Sequence, residues 1–332
     1  MDIPINFSKE FSKNHPDLKN GGLVLIANVG RLEPNCPFDL GNGLQFDRPT
    51  EAEVETIRAL VMLSNQEILI MPSHNPYEVT SSFEEQEGGA KKRLISELSP
   101  SKLRYHIIRF SGTNRLLYEF VDASILSKTR LISGPSVMSV GDSDGLGFGM
   151  PLSMARAWKD LQRDDNNFIS LSGDDLADLQ YVYEKLTQTG KDAEELISAM
   201  NGFRQLDEIP RNSPLRFLGY VSILESLLTH APDPKDPYDS LTRQVRQKML
   251  LVSNRAYIKI PYELFQIDRG KLWSRLYEYR SIIAHGGSPD FKNRFQCLNT
   301  PETALKFIEC ATISLMRQTL EEPSLIYDLR AC

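Results

Sequence analysis

Two hydrophobic periodicities divide the chain. Up to about residue 150, apolar residues fall in short runs broken by turn formers, the pattern of strands with an inserted helix. Gly22 to Val29 (GLVLIANV) and Glu67 to Met71 (EILIM) read as strands. Arg104 to Phe110 and Arg115 to Val121 flank Ser111-Gly112-Thr113-Asn114, a connection of the length and composition that closes a hairpin, and are expected to pair as one. Thr50 to Leu63 opens with a Thr cap and an acidic first turn, then repeats apolar residues at helical spacing, which predicts the inserted helix.

Beyond Pro151 the period shifts to that of a helix and is expected to stay there. Leu176, Leu179, Val182, Tyr183 and Leu186 share one face of a helix over Asp174 to Thr187. Ser213-Pro214 supplies an N-cap and a first-position proline for a helix over Leu215 to Thr229, and the proline-rich His230 to Tyr238 cannot continue it. Further helices are expected from Ser240 to Val252, from Gly270 to His285 with a stop at Gly286-Gly287, and from Thr300-Pro301 to about Leu320. No internal repeat is visible. The expected fold class is α+β: a mixed α+β domain over residues 1–150, a helical connector over 151–205 and an all-α bundle over 206–332.

A length of 332 residues suits about two domains, and a 41% hydrophobic content with 25% charged residues removes the disordered and low-complexity classes. No apolar run reaches the roughly 18 residues a membrane span needs, and the N-terminus lacks a basic segment followed by an apolar one. A cytoplasmic protein without membrane attachment is expected. The cysteines at positions 36, 297, 310 and 332 form no Cys-x-x-Cys pair, so neither a disulfide framework nor a zinc site is expected. His15, His74 and His106 lack metal-ligand spacing, and no metal or other cofactor is argued.

The formal net charge of −6 speaks against attachment to nucleic acid by bulk charge, yet the sign is unevenly spread. From Arg211 onward there are 17 Lys and Arg against 13 Asp and Glu, while the upstream portion carries 21 against 31. The basic third also holds Arg280-Ser281-Ile282-Ile283-Ala284-His285, an Arg-x4-His spacing at the end of an amphipathic helix and directly before two glycines.

These residues resemble the HEPN ribonucleases, and within them the Apea-like HEPN domains. Leu215 to Leu228 (LRFLGYVSILESLL) is similar to that family's first helix, Leu241 to Val252 to the next, and Tyr279 to Gly287 (YRSIIAHGG) to its signature segment, so the likeness covers about residues 206–320. It implies a helical bundle that dimerises and cuts RNA without a metal through the arginine and histidine of Arg-x4-6-His. Carried over, those positions are Arg280 and His285. The resemblance also implies a prokaryotic antiphage defence or toxin setting, with an antitoxin or sensor as a candidate partner. Ser281 stands where many active members carry Asn, Asp or His.

The residue types suit that chemistry on their own terms. The 2'-hydroxyl of RNA lies beside its own phosphodiester, so internal attack yields a 2',3'-cyclic phosphate without an activated water. An imidazole, with an ordinary pKa of about 6.5, moves protons near neutrality, and a planar guanidinium grips the crowded phosphorane. A single site offers one histidine, so a two-fold dimer bringing two copies to one cleft would supply both acid and base. Glu225 sits between Leu224 and Leu227 on the first helix, where a glutamate is either a solvent-facing charge or, taken with the resemblance, an ion-pair partner that orients Arg280. Arg243, Arg246 and Lys248 fall off the stripe of Leu241, Val245, Met249 and Val252 and form a basic face, by default a solvated one and otherwise a candidate RNA-backbone contact.

A second reading is a non-catalytic HEPN-type module that binds RNA or protein, favoured by Ser281 and the acidic total. The segment Gly141 to Gly149 lacks the third calcium ligand and the Gly-Lys-Ser/Thr ending of a phosphate loop, and is expected to be a flexible inter-domain loop. A weaker third reading puts nucleotide sensing or modification around it.

Overall fold

The computed structural model describes residues 21–26, 28–33, 36–51, 53–54, 77–85, 91–97, 106–111, 114–140, 145–149, 169–189, 194–232, 235 and 240–332. Both helices and an antiparallel sheet are present, so the chain is α+β. It separates into two compact units, Met1–Val121 with Leu131–Gln180, and Asp122–Arg130 with Tyr181–Cys332. This division differs from boundaries read at residues 150 and 206.

The first unit holds a six-stranded sheet. Its strands are β1 (Gly22–Ile26), β3 (Phe38–Gly41), β4 (Leu44–Asp47), β7 (His106–Phe110), β8 (Ser133–Val140) and β9 (Gly145–Gly149), in the order β3-β4-β7-β1-β8-β9. Every neighbouring pair in it is antiparallel. β2 (Val29–Leu32) pairs in parallel with β10 (Ile169–Leu171), and β5 (Tyr77–Glu85) pairs with β6 (Lys91–Glu97) in a separate ladder. The central strands β1 (GLVLI) and β7 (HIIRF) are buried at every position, as strands are when both faces are covered.

One charged residue in that centre sets the local structure. Arg109 on β7 is 1% exposed and holds Glu53 through Nε and Nη2 at 2.8 and 2.7 Å, with Asp47 on β4 bound at Nη1. Glu53 in turn accepts from the Thr50 amide, while the Thr50 hydroxyl accepts from the Glu53 amide. The expected Thr cap therefore exists as a reciprocal capping box, and the same carboxylate neutralises a buried cation. Desolvation opposes both charges, and the mutual pairing overrides it, holding Glu53 below and Arg109 above the usual range. The rest of the helix expected to Leu63 and the strand expected over Glu67 to Met71 lie outside the described residues.

Three expectations are corrected here. The hairpin after β7 does not form, because both edges of β7 are taken by β1 and β4. Asn114–Leu126 is instead helix α1, with Phe120, Ala123, Ile125 and Leu126 buried. The helical period becomes visible only over the full span to Leu126. Within the glycine-rich segment, Gly145–Gly149 is not an inter-domain loop but edge strand β9 on β8; its GLGFG pattern has the period of two that a strand needs. Finally, the chain beyond Pro151 is not wholly helical, since Ile169–Leu171 forms β10.

Among the described residues of the second unit, the regular elements are all helices. After α2 (Gly173–Gln188), whose Tyr181 opens the main part of the unit, come α3 (Glu194–Leu206), α4 (Pro214–Leu228), α5 (Leu241–Ser253), α6 (Arg269–Ala284), α7 (Pro301–Glu321) and α8 (Pro323–Ala331). Leu176, Leu179, Val182 and Tyr183 form the buried face of α2, as their spacing predicts, while Leu186 near its end is only half-buried. Ser213, Ser240, Asp268 and Thr300 each cap the helix that follows through a side-chain oxygen. The one helix that sequence reading did not anticipate after Leu320 is α8, which starts on Pro323.

Helix α4 is the hub, packing against α3, α5, α6, α7 and α8. A helix touched on so many sides must be apolar nearly all round. Phe217, Tyr220, Val221, Ile223, Leu224, Leu227 and Leu228 are accordingly buried, leaving Leu215 and a few small residues outside. Beside it, Trp273 of α6 donates to the Tyr262 hydroxyl at 2.9 Å and packs on Phe307 of α7, tying α6 into the core. Among the described residues no helix is long and apolar enough to cross a membrane.

Candidate functional site

Helix α6 is anchored by Leu272, Trp273, Leu276, Tyr277 and Tyr279, all buried, and this fixes which residues of its last turn remain available. Arg280 follows Tyr279 and lies at the margin of the core, its side chain 36% exposed. From there Nη2 reaches Glu225 Oε2 on α4 at 3.4 Å. The pairing expected from the sequence is thus made. It leaves Nε and Nη1 of Arg280 uncommitted among the described residues, and these can face an anion.

Glu225 is the more enclosed partner, with its side chain 14% exposed and Oε1 buried without a hydrogen bond among the described residues. The hydroxyl of Tyr277 is similarly enclosed. Burial, and then the neighbouring Glu225 carboxylate, push that phenol well above its usual range, so it stays protonated. The phenol is thus a neutral, enclosed neighbour of the Glu225 carboxylate. Tyr277 is a member of the site that sequence reading missed, because an aromatic at core spacing on a helix carries no sign of what its hydroxyl meets.

His285 is placed by the way α6 stops. It is the C-cap residue, and Gly286 follows with φ of 72°, the left-handed geometry glycine accepts. The Gly287 amide donates to Ile282 O at 2.9 Å and the Gly286 amide to Ile283 O at 3.0 Å. Those two bonds make a Schellman motif, and they hold the chain at His285 while its ring stays exposed. Positions five apart on a helix lie about 140° apart around the axis, so Arg280 and His285 flank the helix end rather than share a face.

The basic face on α5 is only partly as expected. Arg243 is exposed, and Arg246 is half-buried with Nη1 3.4 Å from Ser274 Oγ on α6. Lys248 is corrected: it is 6% exposed, and its ammonium donates to Leu228 O at 2.9 Å. The cation closes the C-terminal end of α4, where unpaired carbonyls need donors, and so cannot track a phosphate backbone.

No family model matches this chain, and no curated protein or solved structure does either.

Chemistry here therefore rests on the residues themselves. Among the described residues no group of three or more His, Cys, Asp or Glu side chains is arranged to hold a metal ion. What the end of α6 does offer is an oriented guanidinium and an exposed imidazole, with a protonated phenol beside the carboxylate that holds the guanidinium. Such a set can bind a phosphate and move a proton.

Proposed function

We propose that the protein is a HEPN-type endoribonuclease that acts as a homodimer and needs no metal. The observation that carries this reading is the contact between Glu225 and Arg280, which aims a guanidinium outward from the same helix end that exposes His285. A helical bundle built around α4, bearing Glu225, agrees with it.

In this mechanism Arg280 grips the scissile phosphate through its uncommitted N–H groups. His285 takes the 2'-hydroxyl proton, the 2'-oxygen attacks phosphorus, and the 5'-oxygen leaves with a proton, giving a 2',3'-cyclic phosphate. Because Arg280 and His285 flank the helix end, a second copy facing the first would supply the His that protonates the leaving oxygen. Arg243 and Arg246 on α5 are proposed to contact RNA phosphates outside the cleavage site. A defence or toxin setting follows from the resemblance.

The test is cleavage of a labelled structured RNA by purified protein in EDTA, with Arg280→Ala and His285→Ala alongside and the product ends assayed for cyclic phosphate. Cleavage that persists in EDTA and is lost in both variants is expected. Equal cleavage by all three proteins would sink the reading.

A further inference from the structure

A cleft of about 520 Å³ opens on the other side of the α6 end, lined by Phe217 of α4, Tyr279, Ile283 and Gly286 of the α6 end, and Glu302 and Leu305 of α7. This volume lies within the roughly 300 to 1,000 Å³ of small-molecule sites. Tyr279, Ile283 and Gly286 recur at helical spacing on one side of the α6 terminus. The cleft thus begins one residue from Arg280 and one from His285.

Its walls are mainly apolar and aromatic, with Asn212, Ser213 and Glu302 as the polar lining. Phe217 meets the Tyr279 ring edge-on, with centroids 4.7 Å apart. Three side-chain polar groups in it are without a hydrogen-bond or ion-pair partner among the described residues: the hydroxyl of Tyr279, a residue 3% exposed, the carboxylate of Glu302 in the first turn of α7, and the amide of the exposed Asn212 at the rim. Tyr279 and Glu302 line the same cleft, and burial, then the Glu302 charge, push the Tyr279 phenol upward.

We propose that this cleft binds a guanine base of the RNA next to the cut, which rests on the ribonuclease reading above. Sequence-selective recognition of RNA splays single-stranded bases onto aromatic and apolar surfaces and reads their Watson–Crick edges. A carboxylate accepts and cannot donate, so it favours a base edge with adjacent donors. Guanine presents N1–H and N2–H side by side there. Uracil offers one donor, N3–H, flanked by two carbonyl oxygens that a carboxylate repels, and adenine and cytosine each offer one donor group beside an acceptor.

Calorimetry with the four nucleoside 3'-monophosphates tests this on the full-length chain, using wild type, Glu302→Gln, Ile283→Trp and His285→Ala. The guanosine form is expected to bind about five- to hundredfold tighter than the others, the discrimination a two-pronged base contact supplies. Glu302→Gln, an exposed position, should erase that preference; Ile283→Trp should fill the cleft and weaken binding; His285→Ala should keep the preference. Equal affinity for all four, or a preference unchanged in Glu302→Gln, overturns the pocket, and RNA cleavage dependent on Arg280 and His285 would then still stand by itself. Guanine preference without any RNA cleavage bears out the pocket and removes the cleavage reading.

Discussion

Arg280 Nη2 lies 3.4 Å from Glu225 Oε2 although the residues are 55 positions apart on different helices. With the arginine side chain 36% exposed, such a contact contributes at most about 1 kcal/mol to stability, so its value is in aiming the guanidinium. Glu225→Gln should therefore leave the unfolding midpoint nearly unchanged, the new amide being able to donate toward the enclosed Tyr277 hydroxyl. On the proposed function it should lower kcat about tenfold or more with little change in KM, which marks a positioning residue rather than a binding one. A matched loss of stability and activity would contradict this.

Gly286 lets α6 end where it does. A Cβ there would meet nothing within 4 Å, so only the positive φ of 72° resists a side chain. Gly286→Ala should cost about 1–2 kcal/mol in urea denaturation, and Gly286→Asn less, because Asn tolerates the left-handed region. Gly287 differs in kind: a Cβ would lie 2.9 Å from Ile282 Cγ2 and 3.3 Å from its carbonyl oxygen, so Gly287→Ala should act through crowding.

Arg243 and Lys248 sit five residues apart on α5 and should respond oppositely. Lys248→Ala removes the donor to Leu228 O and should cost about 1–3 kcal/mol of stability. Arg243→Ala should leave the fold intact and lower the salt slope of RNA binding by about one unit. Titrations of RNA affinity against salt, with denaturation of the same proteins, separate the two.

His106 makes the first unit sensitive to acid. It is 4% exposed, its ring contacts Val29 O through Nδ1 at 3.0 Å, and burial lowers its pKa to about 4. The unfolded imidazole, near 6.5, binds the proton more tightly than the folded one, so stability is full above pH 6.5 and falls as pH drops toward 4. The loss across that window should be on the order of 3 kcal/mol. His106→Gln should flatten the difference between denaturation curves at pH 7 and pH 4.5, and an unchanged difference would assign the acid sensitivity elsewhere.

Elements whose signals are local were legible from the chain. Ser213-Pro214, Ser240 and Thr300-Pro301 mark helix starts because a side-chain oxygen caps amides two or three residues away. Gly286-Gly287 marks a stop for an equally local reason. Asn42-Gly43 is a turn signal of the same sort that went unused: it joins β3 to β4 with φ of 52° and 77°, the hairpin geometry such a pair favours.

The candidate site divides along the same line. Arg280, His285 and Glu225 could be picked out from residue type, spacing and resemblance, and the first and last of these do meet. Packing alone decided that Lys248 turns inward, that Tyr277 stands behind Glu225 and that Phe217, Tyr279 and Glu302 share a cleft. It also decided that Asn114–Leu126 coils, since the strand partners it would have needed were already on β7. Local hydrogen bonds and helical period act within a few residues and are written in order along the chain, whereas burial and charge pairing depend on which distant segments arrive beside a residue.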